Sequence, residues 1–569
     1  MFWVFVAIGF LFYGDGFLPQ FAWGQTESGL IEKSLRQSRP EFQPPFETQT
    51  PEIIIQDSRQ LGDAGAGPSF FVRKIEIEGN ILFSEQVLSP LVDVGEGLEA
   101  TLGVLTLMAN EVTAFYAEQG YFLARAYIPG QEIVDGVVRM KVVEGKVNRV
   151  EVQGNDWTRS SDYQEYLGPV QEESALKEQT LESTLLELND MLGVQVRSVL
   201  KPGELPGTSD LVLEVTEGRP YNASFDYDNF GSRFTGQHRM GFTLTTGNLV
   251  RLGDQFYFRF VRSDLAQIFL QPSYLFPLNY SGLKFKASYT FSEHELGDNL
   301  VSLRAGGKSH ILTLELSQVL GRKRFSQFSL RAGINFKTFE NEQLGNNTSK
   351  DSPQDLYVGL GGNFADTYRG RNFIDFQVKT GIHESDDSRG LISRTRGQGN
   401  VIVTNANFTR FQSAEFLNSY FIMKASTQMA DARVLSPDLF AVGGMGSVRG
   451  FPLSEYSGDE GYVLSLEYVI PFPWKLKFME KSDLTLDRVV SVSGFIDSGK
   501  VFVIEAEPGE RDQGITGAGA SIKLNLPSQD PMDPSISFAM TYGIPVMGNP
   551  LPTDRTFGTL YLAFLMGYF

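Results

Sequence analysis

Residues 441–451 read AVGGMGSVRGF, and residues 494–499 read GFIDSG. Four glycines in eleven positions make a poor helix or strand and a good tight loop, because glycine accepts backbone angles closed to other residues. The loop carries one guanidinium, Arg449, between Val448 and Gly450, with Phe451 behind it. The second segment sets one carboxylate, Asp497, between Phe495 and Gly499 in what otherwise reads as a strand. A planar fork of donors and a carboxylate form a directional pair in a partly dry space, so a loop tip bearing Arg449 can be latched to a wall bearing Asp497. Taken singly, the first segment reads better as a surface turn with a solvated Arg and the second as an Asp at a strand end, since short motifs are common.

Around these segments, everything beyond Pro220 alternates with period two. Leu283, Phe285, Ala287, Tyr289 and Phe291 interleave with Lys284, Lys286, Ser288, Thr290 and Ser292. Phe328, Leu330, Ala332, Ile334 and Phe336 interleave with Ser329, Arg331, Gly333, Asn335 and Lys337, and residues 374–382 repeat the pattern. A soluble sandwich would turn the charged face to water and the apolar face to a second sheet. A membrane barrel inverts this, with apolar side chains toward lipid and ionic ones lining a wet lumen. Length and edges favour the barrel. At roughly 22 residues per strand and connection, residues 219–569 hold about 16 strands; an open sheet of that size would leave long apolar edges, and a closed one leaves none. The polar stretches 340–354, 383–399 and 505–514 suit outer loops, and the chain finishes on a strand, 558–569, with Phe569 last.

Composition agrees. Hydrophobic residues make up only 41% of the 569, with 58 glycines, 45 phenylalanines and 21 tyrosines, and no long apolar run follows the N-terminus, so helical spans are not expected. The absence of cysteine excludes disulfide frameworks and thiol-based metal or redox sites. A net charge of −19 argues against nucleic acid as a partner.

Upstream, residues 1–24 read as a secretory signal peptide ending in Ala22-Trp23-Gly24, although Asp15 interrupts the apolar run and no Lys or Arg precedes it. Residues 25–70 read as a proline-containing linker, within which Leu30, Ile31 and Leu35 share one face of a short helix. Residues 71–80 alternate as a strand, Leu105, Met108, Val112 and Phe115 recur at helical spacing, and 121–128 and 137–143 are further strands. The order repeats across 147–218, where Gly154-Asn155 echoes Gly79-Asn80 and Glu217-Gly218 echoes Glu144-Gly145. Two repeats of about 75 residues suit small independent folds.

Together, the Arg449 loop and the Asp497 wall resemble the sixth-loop VRGF and wall (F/G)xDxG motifs of an outer-membrane superfamily. That superfamily includes the BamA-type assembly factors and the two-partner-secretion (TpsB) transporters. The repeats resemble POTRA domains, and the first resembles the TpsB type in GYFLARAYIP (120–129), closing at Pro129, then Gln131, Asp135-Gly136 and Glu144-Gly145. Residues 228–232, 247–249 and 253–254 look like the opening of a TpsB barrel. The resemblance implies a mainly β fold: a 16-stranded transmembrane β-barrel over 219–569, preceded by two small α+β POTRA domains at 71–146 and 147–218. It implies a loop folded into the lumen and, for residues 27–38, a helix that plugs the pore.

No residue set speaks for catalysis or a cofactor. The four histidines, His238, His294, His310 and His383, have no metal-ligand spacing, and neither GGMGSVRG nor GITGAGASIK ends as a phosphate loop does. The expected function is ATP-independent secretion of an unfolded, β-rich exoprotein caught at the POTRA domains by strand addition. Expected partners are that client, outer-membrane lipid, and the periplasmic chaperones and barrel-assembly machinery that insert the protein itself. The alternatives are a BamA-like insertase, which resembles longer POTRA strings, and a barrel hydrolase or passive pore, neither of which needs such modules.

Overall fold

A computed structural model describes residues 28–37, 52–55, 68–265, 267–382, 392–477, 484–528, 533–547 and 552–568. The expected signal peptide, most of the linker, His383 and Phe569 lie outside the described residues.

The first described elements are helix α1 (Ser28–Gln37) and a three-residue strand β1 (Ile53–Ile55). The first lobe follows: β2 (Phe70–Val72), β3 (Lys74–Glu78), α2 (Glu85–Val92), β4 (Leu98–Ala100), α3 (Leu102–Glu118), β5 (Arg125–Tyr127) and β6 (Val137–Val143). β6 pairs in parallel with β3 and antiparallel with β5. Two helices cover the sheet, and Leu88, Leu105, Val112, Val138 and Met140 are completely buried between them. The strand expected over 71–80 is in fact two. The Gly136 carbonyl accepts from both the Arg73 and Lys74 amides, which breaks the ladder there and turns β2 away to pair with β4. The strand expected over 121–128 is trimmed to β5, because the Tyr121 and Ala124 amides are taken up in tight turns.

The second lobe repeats the plan with β7 (Lys146–Gln153), α4 (Ser160–Tyr166), α5 (Gly168–Glu172), α6 (Glu178–Asn189), β8 (Val194–Pro202) and β9 (Thr208–Glu217). Its sheet runs β1-β8-β9-β7, so the linker strand is the outermost member. The lobes abut where the Leu176 amide donates to the Gly145 carbonyl at 3.0 Å and the Glu178 amide to the Gly120 carbonyl at 2.9 Å. Gly145 sits at φ +70° against the Leu123 backbone of its own lobe, where a Cβ would lie 2.7 Å from the carbonyl oxygen.

The remaining strands are β10 (Tyr221–Asp228), β11 (Arg239–Gly247), β12 (Gln255–Ser263), β13 (Ile268–Pro277), β14 (Leu283–Glu295), β15 (Ala305–Lys323), β16 (Ser326–Gln343), β17 (Asn346–Asp351), β18 (Gln354–Ala365), β19 (Gly370–Gly381), β20 (Ile402–Ser413), β21 (Tyr420–Ala430), β22 (Phe440–Val442), β23 (Tyr456–Gly458), β24 (Glu460–Pro471), β25 (Val490–Phe502), β26 (Gln513–Leu526), β27 (Ser535–Met547) and β28 (Thr559–Tyr568). Sixteen wall strands close antiparallel when β28 pairs with β10, from Ala223↔Tyr568 to Asp228↔Ala563. β17 is the outer continuation of β18 across Pro353, and β22 and β23 form a ribbon apart from the wall. The polar stretch at 340–354, expected as a loop, is thus largely a hairpin that prolongs β16 beyond the barrel rim.

The wall shows the expected inversion. Asp226, Asp228, Arg259, Thr290, Ser292 and Asp355 are buried toward the interior, while Phe225, Tyr289, Leu330, Phe336 and Phe376 stand exposed on the outside, where lipid lies. Luminal ions are paired: Arg239 with Asp228 at 2.7 Å, Arg259 with Asp226, and Lys337 with Asp355 at 2.6 Å. No helix among the described residues is long and apolar enough to cross a membrane; the protein crosses with strands.

The second lobe fixes which end is which. The Tyr166 hydroxyl donates to the Leu252 carbonyl at 3.0 Å, Asn248 to the Leu192 carbonyl at 3.1 Å, and Lys284 pairs with Glu187 at 3.0 Å. The turns after β11 and β13 therefore lie on the lobe side. Connections alternate between ends in an antiparallel barrel, so the loop between β21 and β24, which holds Arg449, starts from the opposite rim.

Candidate functional site: an inward loop held on the barrel wall

The loop between β21 and β24 folds back into the barrel on the β22–β23 ribbon, registered from Phe440↔Gly458 to Val442↔Tyr456. Val442, Val448 and Phe451 are fully buried and pack with Tyr456, Val501 and Ile515. This greasy cluster inside a polar lumen sets the loop's depth. It leaves Arg449, between Val448 and Gly450, aimed at the wall.

Asp497 receives three bonds from Arg449: the backbone amide at 3.1 Å and Nε at 2.7 Å reach Oδ2, and Nη2 at 2.9 Å reaches Oδ1. Nη1 donates to Glu467 at 2.6 Å, and the guanidinium carbon stands 3.5 Å from the centre of the Phe495 ring. The fork geometry is used in full, and a flat cation on an aromatic face loses little by leaving water. Ser465 donates to Asp497 at 2.7 Å, Ser493 to Glu467 at 2.8 Å, and Lys523 lies 3.5 Å from Glu467. Two cations thus face two carboxylates, which offsets the cost of burying each.

A glycine floor lets the loop backbone lie this close. A Cβ on Gly517 of β26 would stand 1.9 Å from the Arg449 carbonyl oxygen, and one on Gly543 of β27 would stand 2.7 Å from the Gly450 amide. Gly450 itself has φ +96° with the Ile544 backbone beneath it. The Tyr561 hydroxyl completes the clasp, accepting from the Gly450 amide at 3.2 Å and donating to the Phe451 carbonyl at 3.1 Å.

Of the residues singled out from sequence, Val448, Arg449, Gly450, Phe451, Phe495 and Asp497 come together here. Gly499 lies alongside, where a Cβ would press on Val442 and Val448 at 3.0 Å. Glu467, Ser465, Tyr561, Gly517 and Gly543 were missed. Glu467 and Ser465 were legible as polar residues on the inward face of the alternating β24, whereas nothing in sequence marks Tyr561.

The POTRA residues lie elsewhere, in the first lobe. Asp135 and Gly136, at φ 53° and 72°, make the turn into β6. Gln131, two residues after Pro129, exchanges hydrogen bonds with the Arg139 backbone, donating at 2.7 Å and accepting at 2.8 Å, and so stands in for a strand along β6. Glu144 accepts from the Ile81 and Leu82 amides, each at 2.7 Å, and from the Tyr116 hydroxyl at 3.0 Å; it ties the turn after β3 to the last strand and to α3. Glu217 does the same in the second lobe, for the Trp157 and Thr158 amides and the Tyr163 hydroxyl.

Helix α1 lies in the lumen beside the inward loop. Leu30 packs with Val434 and Leu439 of that loop and with Val401 and Val403; Ile31 and Leu35 pack on Val261 and Phe269 of the wall. The Lys33 ammonium donates to the Leu439 carbonyl at 3.0 Å, and Gly29 lets the helix rest on Pro437. Asp438, between them, is held by Lys337 and Lys379.

Comparison with known proteins matches the barrel and the first lobe. A family model described as haemolysin secretion/activation protein ShlB/FhaC/HecB matches residues 207–524, and one described as POTRA domain, ShlB-type, matches residues 70–145. The heme/hemopexin transporter protein HuxB of Haemophilus influenzae is 23% identical over 535 residues, covering 91% of this chain and 93% of that protein. The outer membrane transporter CdiB of Dickeya dadantii (strain 3937) is 23% identical over 461 residues, 77% of each chain. Among solved structures, CdiB from Escherichia coli gives a TM-score of 0.71 at 20% identity over 90% of this chain and 93% of that one. CdiB from Acinetobacter baumannii gives 0.66 at 16% identity over 97% and 100%. The chain belongs to the haemolysin secretion/activation protein family ShlB/FhaC/HecB, and is an outer-membrane two-partner-secretion transporter whose POTRA domains lie in the periplasm.

Proposed function

We propose that the periplasmic lobes, divided at 71–146 and 147–218, catch an unfolded, β-rich exoprotein, which threads the barrel of 219–569 and folds outside. Folding beyond the membrane makes the passage directional without ATP. Two lobes among the described residues, rather than a longer string, favour this over the insertase reading. We assign no catalytic step; the further partners are outer-membrane lipid, and the periplasmic chaperones and assembly machinery that insert the barrel.

The observation that carries the reading is the buried Arg449 held by Asp497 and Glu467. It keeps the inward loop in one defined arrangement, against which α1 rests. Removing one partner leaves the other charges buried and uncompensated, a loss of about 3–5 kcal/mol. Arg449→Ala and Asp497→Ala are expected to reach the outer membrane in normal amounts and to lose export of the client into the medium. Normal export by both variants would refute the latch.

A further inference from the structure

The inward loop is tied down a second time, at its root. Strands β19, β20, β21, β24 and β25 are neighbours in the wall, so three connections rise side by side from the rim opposite the lobes. They are the one entering β20, the inward loop itself over 431–459, and the one over 503–512. Arg433 is only 2% exposed although it lies beyond the end of β21. Its Nε donates to the Thr395 carbonyl at 2.9 Å and its Nη1 to the Ile504 carbonyl at 3.1 Å, while Nη1 and Nη2 reach the Glu510 carboxylate at 2.8 and 2.9 Å. Arg394 answers from the first connection, donating to both oxygens of Asp459 at 2.5 and 3.1 Å and to Glu510 at 3.4 Å. Asp459 is fully buried and accepts from the Ile504 amide at 2.8 Å as well. Two guanidiniums and two carboxylates from three connections thus close on one another, and each buried charge is compensated.

This outer brace bears on an apolar surface. The Val434 amide donates to Asp459 at 2.8 Å, and the Val434 carbonyl accepts from Arg394 at 3.2 Å, so both polar groups of that residue's backbone end in the brace. The Val434 side chain, 1% exposed, packs with Leu30 of α1 and with Leu439, Val401 and Val403. A network fixed by charge therefore sets the place of a side chain on which the luminal helix rests.

We propose that Arg394 and Arg433 are positioning residues that act through Val434: the outer brace holds the surface that seats α1, and so sets how often the helix leaves the lumen. The proposal rests on the transport reading only for its consequence, since a chain in transit needs the space that α1 occupies. Its test measures the helix and not export, so the two readings fail separately.

The chain has no cysteine, so Ser28→Cys places one thiol on α1, at a position with no exposed surface. In purified protein in detergent micelles, a maleimide then reaches the thiol only when the helix leaves its seat, and the labelling rate reads the unseated fraction. On this background Arg433→Ala and Glu510→Ala are each expected to raise the rate at least about tenfold. The two variants break the brace from different connections, so the second still reads it should the first fail to fold. Arg396→Ala is expected to label at the parent's rate, because Arg396, 52% exposed, joins Glu505 and Glu507 across the same two connections but on their surface. The parent's rate in both brace variants, or an equal rise with Arg396→Ala, overturns the assignment. In planar bilayers Glu510→Ala is expected to visit the open level more often than the parent, and to change nothing in a chain lacking residues 28–37. An altered open level in that shortened chain would show that the brace shapes the pore directly and would overturn its action through α1.

Discussion

Arg449 serves three surfaces at once: two carboxylates in the plane of its fork, an aromatic face below, and a glycine floor that admits its own backbone. The charges alone would not hold the loop, because the backbone must come within contact of two neighbouring strands before the fork can reach. A methyl group should therefore break the clasp as surely as losing the charge. Gly517→Ala is expected to displace the loop at a cost of about 1–3 kcal/mol, from overpacking against the Arg449 carbonyl, and to lower export with every charge in place. Wild-type export from that variant, with the barrel folded as judged by its heat-modifiable gel mobility, would show that the wall tolerates the methyl. The Arg449–Asp497 pair was visible in sequence because rare charges in glycine-rich and apolar surroundings stand out. Gly517 was not, because a glycine in a strand looks the same whether it faces lipid or another backbone.

Among the elements, the lobes depend on a carboxylate at the end of the last strand. In the second lobe, burial works to raise the Glu217 carboxyl, but the donors from Thr158, Trp157 and Tyr163 outweigh it and hold the group below its ordinary 4.5. The carboxylate is thus favoured by folding: its contribution is complete above the unfolded value and is lost as pH falls through the lower, folded one. Protection of the Trp157 and Thr158 amides from hydrogen exchange is expected to drop between about pH 6 and about pH 3 in the parent. In Glu217→Gln it should already be reduced at the higher pH and change little. Protection in the parent that is flat across this range would remove Glu217 from that role. Helix α3 was legible from spacing, and 137–143 coincides with β6. The strand expected over 71–80 was not read correctly, since its break comes from a carbonyl at Gly136, far along the chain.

At the scale of the whole molecule, the barrel is a walled channel with two internal obstacles, the inward loop and α1, that touch each other. α1 is held by three aliphatic side chains and a handful of polar contacts, which suits a removable part better than a structural one. Deleting residues 28–37 is expected to leave the barrel closed and inserted and to raise its single-channel conductance in planar bilayers severalfold, because α1 occupies lumen between the inward loop and the wall. Conductance equal to the parent's would mean that the helix does not limit the pore.

What the sequence by itself determined is the wall and the repeat: alternation of apolar and ionic side chains, the approximate number of strands, two lobes of one design, and one Arg and one Asp worth pairing. These follow from local geometry, since a strand sends successive side chains to opposite faces wherever it lies. Only the tertiary structure decided that Glu467 shares Arg449, that Tyr561 clasps the neighbouring Gly450 and Phe451 backbone, that glycines on β26 and β27 form the floor, that α1 rests on the inward loop, and that residues 53–55 complete a sheet some 145 positions away. Those contacts join residues far apart in the chain, and they exist only because barrel closure and lobe docking bring the partners together; no periodicity along the chain encodes such a meeting.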